Sequence, residues 1–193
     1  MTEGLAGRVA MGIDASLTGT GLVAVPADWG LDWSKVARAK LGLEVPMKAS
    51  EADRIRRLEY ICKLTLEFAE LHHATDVFLE QYAFSAKLSR AHAIGELGGN
   101  LKRDIVIGLG LPLTVVSPAS ARALFGKFSA VLKKGSPKGT PKPAPVKDQV
   151  HAVLKRAGLP LNWDGDETDA WVVANWGLSG IKGADAMILR EDA

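Results

Sequence analysis

Two short apolar runs in this chain each end on a carboxylate, and a third apolar segment opens with two more. Asp14 closes Val9-Ala10-Met11-Gly12-Ile13 and Glu80 closes Val77-Phe78-Leu79; Asp166 and Asp169 precede Ala170-Trp171-Val172-Val173-Ala174. A carboxylate at the end of a buried strand is costly unless something cationic meets it. For any one of these acids, an arginine or lysine partner is the simplest answer. For the set, a fold that brings the three places together around a shared divalent cation is more economical.

Arg8 to Ile13 reads as a first strand, apolar nearly throughout and therefore central in a sheet covered on both faces. Asp14 shares its strand face with Ala10 and Gly12, so nothing bulky crowds it. The turn Leu17-Thr18-Gly19-Thr20-Gly21 returns into a second strand over Leu22 to Val25, and Ala39 to Leu43 suggests a third. Two neighbouring hairpin connections make this part antiparallel. Ala49 to His73 has helical spacing of Ile55, Leu58, Ile61, Cys62 and Phe68, with Ser50 and Asp53 placed to cap it. His72 and His73 read as polar residues at the helix end, not as metal ligands. A strand over Asp76 to Glu80, a glycine-softened helix over Leu88 to Leu109, a strand over Leu113 to Val116 and a short helix over Pro118 to Phe125 follow. Pro145 suits the first turn of a further helix that ends at Gly158. The last helix begins near Asp164, which caps it with Glu167, and runs to about Leu178. Strands alternating with helices after a meander predict an α/β sandwich with a mixed central sheet flanked by helices, one domain over residues 1–193.

Composition narrows the function. Net charge is only +2, but Lys127, Lys133, Lys134, Lys138, Lys142 and Lys147 fall in one stretch without an acid, interleaved with prolines. Such a stretch, about 127–145, predicts a flexible basic loop. Beside an acidic pocket it suits a phosphodiester backbone; taken alone it reads as a solvated loop without a partner. The single Cys62 excludes an internal disulfide framework, reads as a packed thiol, and fits a reducing, cytoplasmic compartment. Residues 1–8 lack the apolar core of a signal peptide, and Pro112 and Pro118 break the uncharged run 105–121, so no membrane association is expected.

Oxygen-only ligation without a His/Cys pattern points to Mg²⁺ or Mn²⁺. Two such ions about 4 Å apart hold the attacking water and the leaving oxygen in phosphodiester cleavage. In that scheme Asp14 bridges both ions, Glu80 completes one shell, and Asp166 with Asp169, three apart on one helix face, completes the other. No small-molecule cofactor is expected.

At these residues the chain resembles the RuvC-type Holliday-junction resolvases of the RNase H-like, retroviral-integrase superfamily. Gly12-Ile13-Asp14 with Thr18-Gly19-Thr20-Gly21 resembles the family's first strand and turn. Leu79-Glu80-Gln81 resembles its acidic strand end, and Phe84-Ser85-Ala86-Lys87 the segment after it. Lys147-Asp148-Gln149-Val150 resembles its Lys-x-Gln-Val helix start, and Asp166-x-x-Asp169-Ala170 its terminal acidic pair. Each match is weak; their order along nearly the whole chain is specific. The segment from Glu80 to Phe84 and the short turn after Asp14 are more similar to bacteriophage members, whose compartment would be the host cytoplasm.

The resemblance implies an RNase H-like three-layer sandwich and a homodimer that sets two active sites across branched DNA. It implies metal-dependent nicking of a four-way junction that leaves a 5′-phosphate and a 3′-hydroxyl. Asp14, Glu80, Asp166 and Asp169 become the metal ligands. Lys147 stabilises charge on the phosphate. Phe84 stacks at the junction centre, or else packs as an ordinary aromatic. Lys87, Lys133, Lys134, Lys138 and Lys142 join the DNA contacts. The chain departs from bacterial members in Ala15-Ser16, in one extra residue between Glu80 and Phe84, and in a longer basic loop. These departures bear on junction selectivity more than on the metal site. Three other readings compete: an inactive DNA-binding module of the same fold, against which the four intact carboxylates argue; an RNase H-type nuclease on RNA–DNA hybrids, since the acids alone do not choose the nucleic acid; and an actin-like or sugar-kinase ATPase domain, for which 193 residues are few.

Overall fold

The computed structural model describes residues 7–42, 50–82, 88–127, 134, 137–141, 143–160 and 162–181. Strands β1 (Val9–Asp14), β2 (Thr20–Pro26), β3 (Ala37–Leu41), β4 (Asp76–Glu80) and β5 (Leu113–Val116) form one sheet in the order β3-β2-β1-β4-β5. β2 pairs antiparallel with β1 and with β3, while β4 pairs parallel with β1 and with β5. The mixed character follows from the connections. Short links join β1, β2 and β3; α1 (Glu51–Leu71) and α2 (Leu88–Arg103) supply the long crossovers that parallel neighbours require.

Strand alternation sorts the core into two layers. Met11, Ile13, Leu22, Ala24, Val77 and Leu79 meet Leu58, Ile61 and Phe68 of α1 and Leu97 and Leu101 of α2. Ala10, Val23, Val25, Phe78 and Val116 face the other way, toward α4 (Val146–Arg156) and α5 (Gly165–Gly180). Cys62 is buried in the first layer, where burial, and then the charge of Asp104, push its thiol up to about 11. It is the packed thiol the sequence suggests.

α5 is buried along most of its length because the sheet covers one side and α3 (Pro118–Arg122) and α4 lie on the other. Its backbone sits hard against the sheet. A Cβ at Gly12 would stand 1.9 Å from the Ala170 carbonyl oxygen, and one at Gly21 2.1 Å from that of Asp166. No side chain fits at either position, so two glycines on neighbouring strands set the height of this helix. An aromatic cluster holds it laterally. Trp171 of α5 packs edge-on to Trp29 at 5.9 Å and against Trp33 at 5.3 Å, both in the link from β2 to β3.

The caps agree with the sequence. Ser50 and Asp53 form a capping box on α1, and Asp164 and Glu167 form one on α5. The two largest boundary differences lie in β3 and after α2. β3 begins at Ala37, which pairs with Ala24, two residues before the expected start, and ends at Leu41 before Gly42; Leu43 lies outside the described residues. The second crossover helix is α-helical only to Arg103 and continues as a π turn over Asp104–Gly108 before Gly110, at φ 66°, turns the chain. Of the glycines expected to allow close approach in α2, Gly98 does so. It receives the ring of Tyr82, whose hydroxyl oxygen lies 1.5 Å from where a Cβ would be.

Candidate metal centre

The pairing register brings the two strand-end acids together. β1 and β4 are parallel neighbours with Ile13 opposite Leu79, so Asp14 and Glu80 each lie one residue further along. Alternation turns both toward the α5 side, Asp14 with Gly12 and Glu80 with Phe78. α5 crosses these carboxyl ends and lowers Asp169, a fully enclosed side chain, between them. Oxygens of Asp14, Glu80 and Asp169 all lie within 4.8 Å of one another. Three separate elements thus place three carboxylates at one point.

Cations crowd one side of this point. On α4, Lys147 ion-pairs with Asp169, and His151, one turn on, has its Nε2 3.1 Å from the same carboxylate. The acceptor is a carboxylate oxygen, so that nitrogen carries the hydrogen. From the end of α3, Arg122 reaches Glu80 at 3.5 Å and Asp169 at 3.6 Å. Among the described residues no donor reaches the Asp14 carboxylate.

The protonation pattern follows. Burial pushes Asp14 up to about 8; the charges of Glu80 and Asp169 add to this, and Lys147 only partly opposes it. Burial, then the Asp169 charge, lift Glu80 to about 7 against Arg122 and Lys147. Burial would also raise Asp169, but hydrogen bonds from His151 and Lys147 outweigh it and hold the group below the usual carboxylate range. For Lys147, burial is outweighed by its bond to Asp169, and its pKa is raised. One acid is satisfied and two lack sufficient positive charge.

Asp166 does not join the three converging oxygens. Its carboxylate is engaged by Lys40 of β3, whose Nζ lies 2.9 Å away and also 2.6 Å from Asp164. Three residues on a helix differ by about 60° in azimuth and about 4.5 Å along the axis. Asp169 therefore faces the strand ends while Asp166 projects at the outer rim toward β3. Of the other candidates, Phe84, Lys87, Lys133 and Lys142 lie outside the described residues, and Lys134 and Lys138 are exposed. A cavity of about 720 Å³ between α1 and α2, lined by Ile55, Leu58, Cys62 and Glu96 among others, includes none of the clustered acids.

Arg122, His151 and Lys40 were not singled out from the sequence. His151 was findable, because Lys147 and position 151 share one face of a helix. Arg122 and Lys40 carry no such signal, since each meets its acids only across elements.

The donor set suits a hard divalent ion: three carboxylates converge within 4.8 Å, one of them without a donor among the described residues. The sheet order β3-β2-β1-β4-β5 with helices on both faces is a three-layer α/β sandwich, and its clustered acids lie at the carboxyl ends of parallel strands, where open α/β sheets bind their ligands. No protein-family model and no curated protein matches the sequence. Solved structures do. The chain is similar to Thermus thermophilus RuvC in complex with a Holliday-junction substrate, with a TM-score of 0.63 and 16% identity over 91% of this chain and 96% of that one. It is similar to a second T. thermophilus RuvC structure at 0.58 and 17%, covering 92% and 98%. The yeast mitochondrial Holliday-junction resolvase Ydc2 matches at 0.52 and 14%, covering 87% and 76%. The chain has the fold of a RuvC-type resolvase.

Proposed function

We propose that this protein is a metal-dependent, structure-selective DNA endonuclease that nicks four-way junctions and related branched DNA. The convergence of Asp14, Glu80 and Asp169 within 4.8 Å carries this reading. Asp14, Glu80 and Asp169 would hold Mg²⁺ or Mn²⁺, with Asp166 at the rim for a second ion. Ions held by these residues would supply positive charge to the scissile phosphate and lower the pKa of an attacking water. The chain's own groups do the rest. Asp169, fixed by Lys147, His151 and Arg122, is held ionised and oriented ahead of the substrate. Lys147 and Arg122 offer positive charge beside the carboxylates, where a phosphate would gain negative charge in the transition state. The exposed Lys134 and Lys138, with the other lysines of the same stretch, supply sequence-independent grip on the backbone. A homodimer, with one such site per protomer, would address the two opposed strands of a junction.

Cleavage of four-way, flap, fork and linear DNA, and of an RNA–DNA hybrid, in Mg²⁺, Mn²⁺ or EDTA tests the proposal. Nicking of branched DNA that EDTA abolishes is expected. Binding without cleavage would replace it with the inactive-module reading, and preference for the hybrid with an RNase H-type assignment.

A further inference from the structure

Lys40 comes to the outer acids from the edge strand β3, and its surroundings are built to hold it. The Asp164 Oδ1 is committed to capping α5, accepting from the backbone N–H of Asp166 and Glu167 at 2.9 Å each. Its Oδ2 is thereby aimed at Lys40. Gly19 leaves the room: a Cβ there would stand 2.5 Å from the Asp166 Oδ2 and 2.9 Å from the Lys40 Cε. The ammonium thus occupies the outer acid of the constellation, while the inner acids have Lys147 and Arg122 as their own cations. The pair is also easily given up. Lys40 is 43% exposed and Asp166 31%, and ion pairs so open to water contribute little to stability.

We propose that Lys40 is a built-in counter-ion that fills the outer metal position and is displaced when a second divalent cation takes Asp166. The inference rests on the metal reading above. Lysine carries a single positive charge on a mobile stem, so a divalent ion competes well for the carboxylate. Asp164 retains the displaced ammonium close by. Occupancy of the inner position by one ion would not require the exchange; occupancy of the outer one would.

Mn²⁺ binding at neutral pH and low salt, read from the electron-paramagnetic signal of the free ion, tests this without any turnover. The native chain is expected to show one tighter and one weaker ion. Lys40→Met keeps the stem and removes the charge, and should tighten the weaker ion by up to about five-fold, the upper end for an exposed ion pair. Lys40→Arg retains the charge and should leave that affinity near native. In an Asp166→Asn background, Lys40→Met should change nothing. Unchanged or weaker Mn²⁺ binding by Lys40→Met, or an equal effect in the Asp166→Asn background, would overturn the proposal while leaving the metal reading intact. Absence of any Mn²⁺ binding by the native chain, with Asp14→Asn indistinguishable from it, would overturn both.

Discussion

Asp14 is placed where its charge is least welcome in the metal-free protein. Its pKa in the fold, about 8, lies above the ordinary value of 3.8. The native state therefore holds more protons than the unfolded chain between about pH 4 and pH 8, and stability falls as pH rises through that window. Glu80, raised from 4.5 to about 7, adds to the same slope. Thermal melting of the metal-free protein should show a midpoint that declines across this range. Asp14→Asn should flatten the decline and melt higher than native at pH 8, yet lose junction nicking by about 100-fold or more. A divalent ion should raise the native melting temperature more at pH 8 than at pH 6, because its ligands must shed protons to bind. A midpoint that is flat with pH in native protein would refute the protonation pattern.

At the scale of elements, the height of α5 above the sheet decides whether Asp169 reaches the strand ends. That height depends on Gly12 and Gly21, which meet the helix backbone and not a flexible side chain. Gly12→Ala should cost about 3 kcal/mol or more by urea denaturation, since a methyl group has no space to enter. The capping boxes, the amphipathic stripe of α1 and the end of α4 were legible because each is a short-range pattern. The start of β3 and the π turn after α2 were not, because pairing with β2 and local winding set them.

Across the whole molecule, clustered acids and exposed lysines divide the work of binding a polyanion. Lys134 and Lys138 are exposed, and each phosphate contact contributes about 0.9 to the slope of log affinity against log salt. Replacing both with glutamine should lower that slope by up to about 1.8 in DNA-binding titrations, while the divalent-ion affinity stays at the native value. An unchanged slope would remove these two lysines from the interface.

The strand-end carboxylates and the caps of α1 and α5 could be read directly from the chain. Apolar alternation and helix-start chemistry act over a few residues, and so leave a local trace. The three-layer sandwich was equally legible, through the order of its elements. Which cation serves which acid belonged to the fold. Asp166 and Asp169 look like one pair on a helix, yet one turn of separation sends Asp169 to Lys147, His151 and Arg122 and Asp166 to Lys40. Those partners come from an edge strand and two other helices. Charge pairing across such distances follows packing geometry, which no residue spacing encodes.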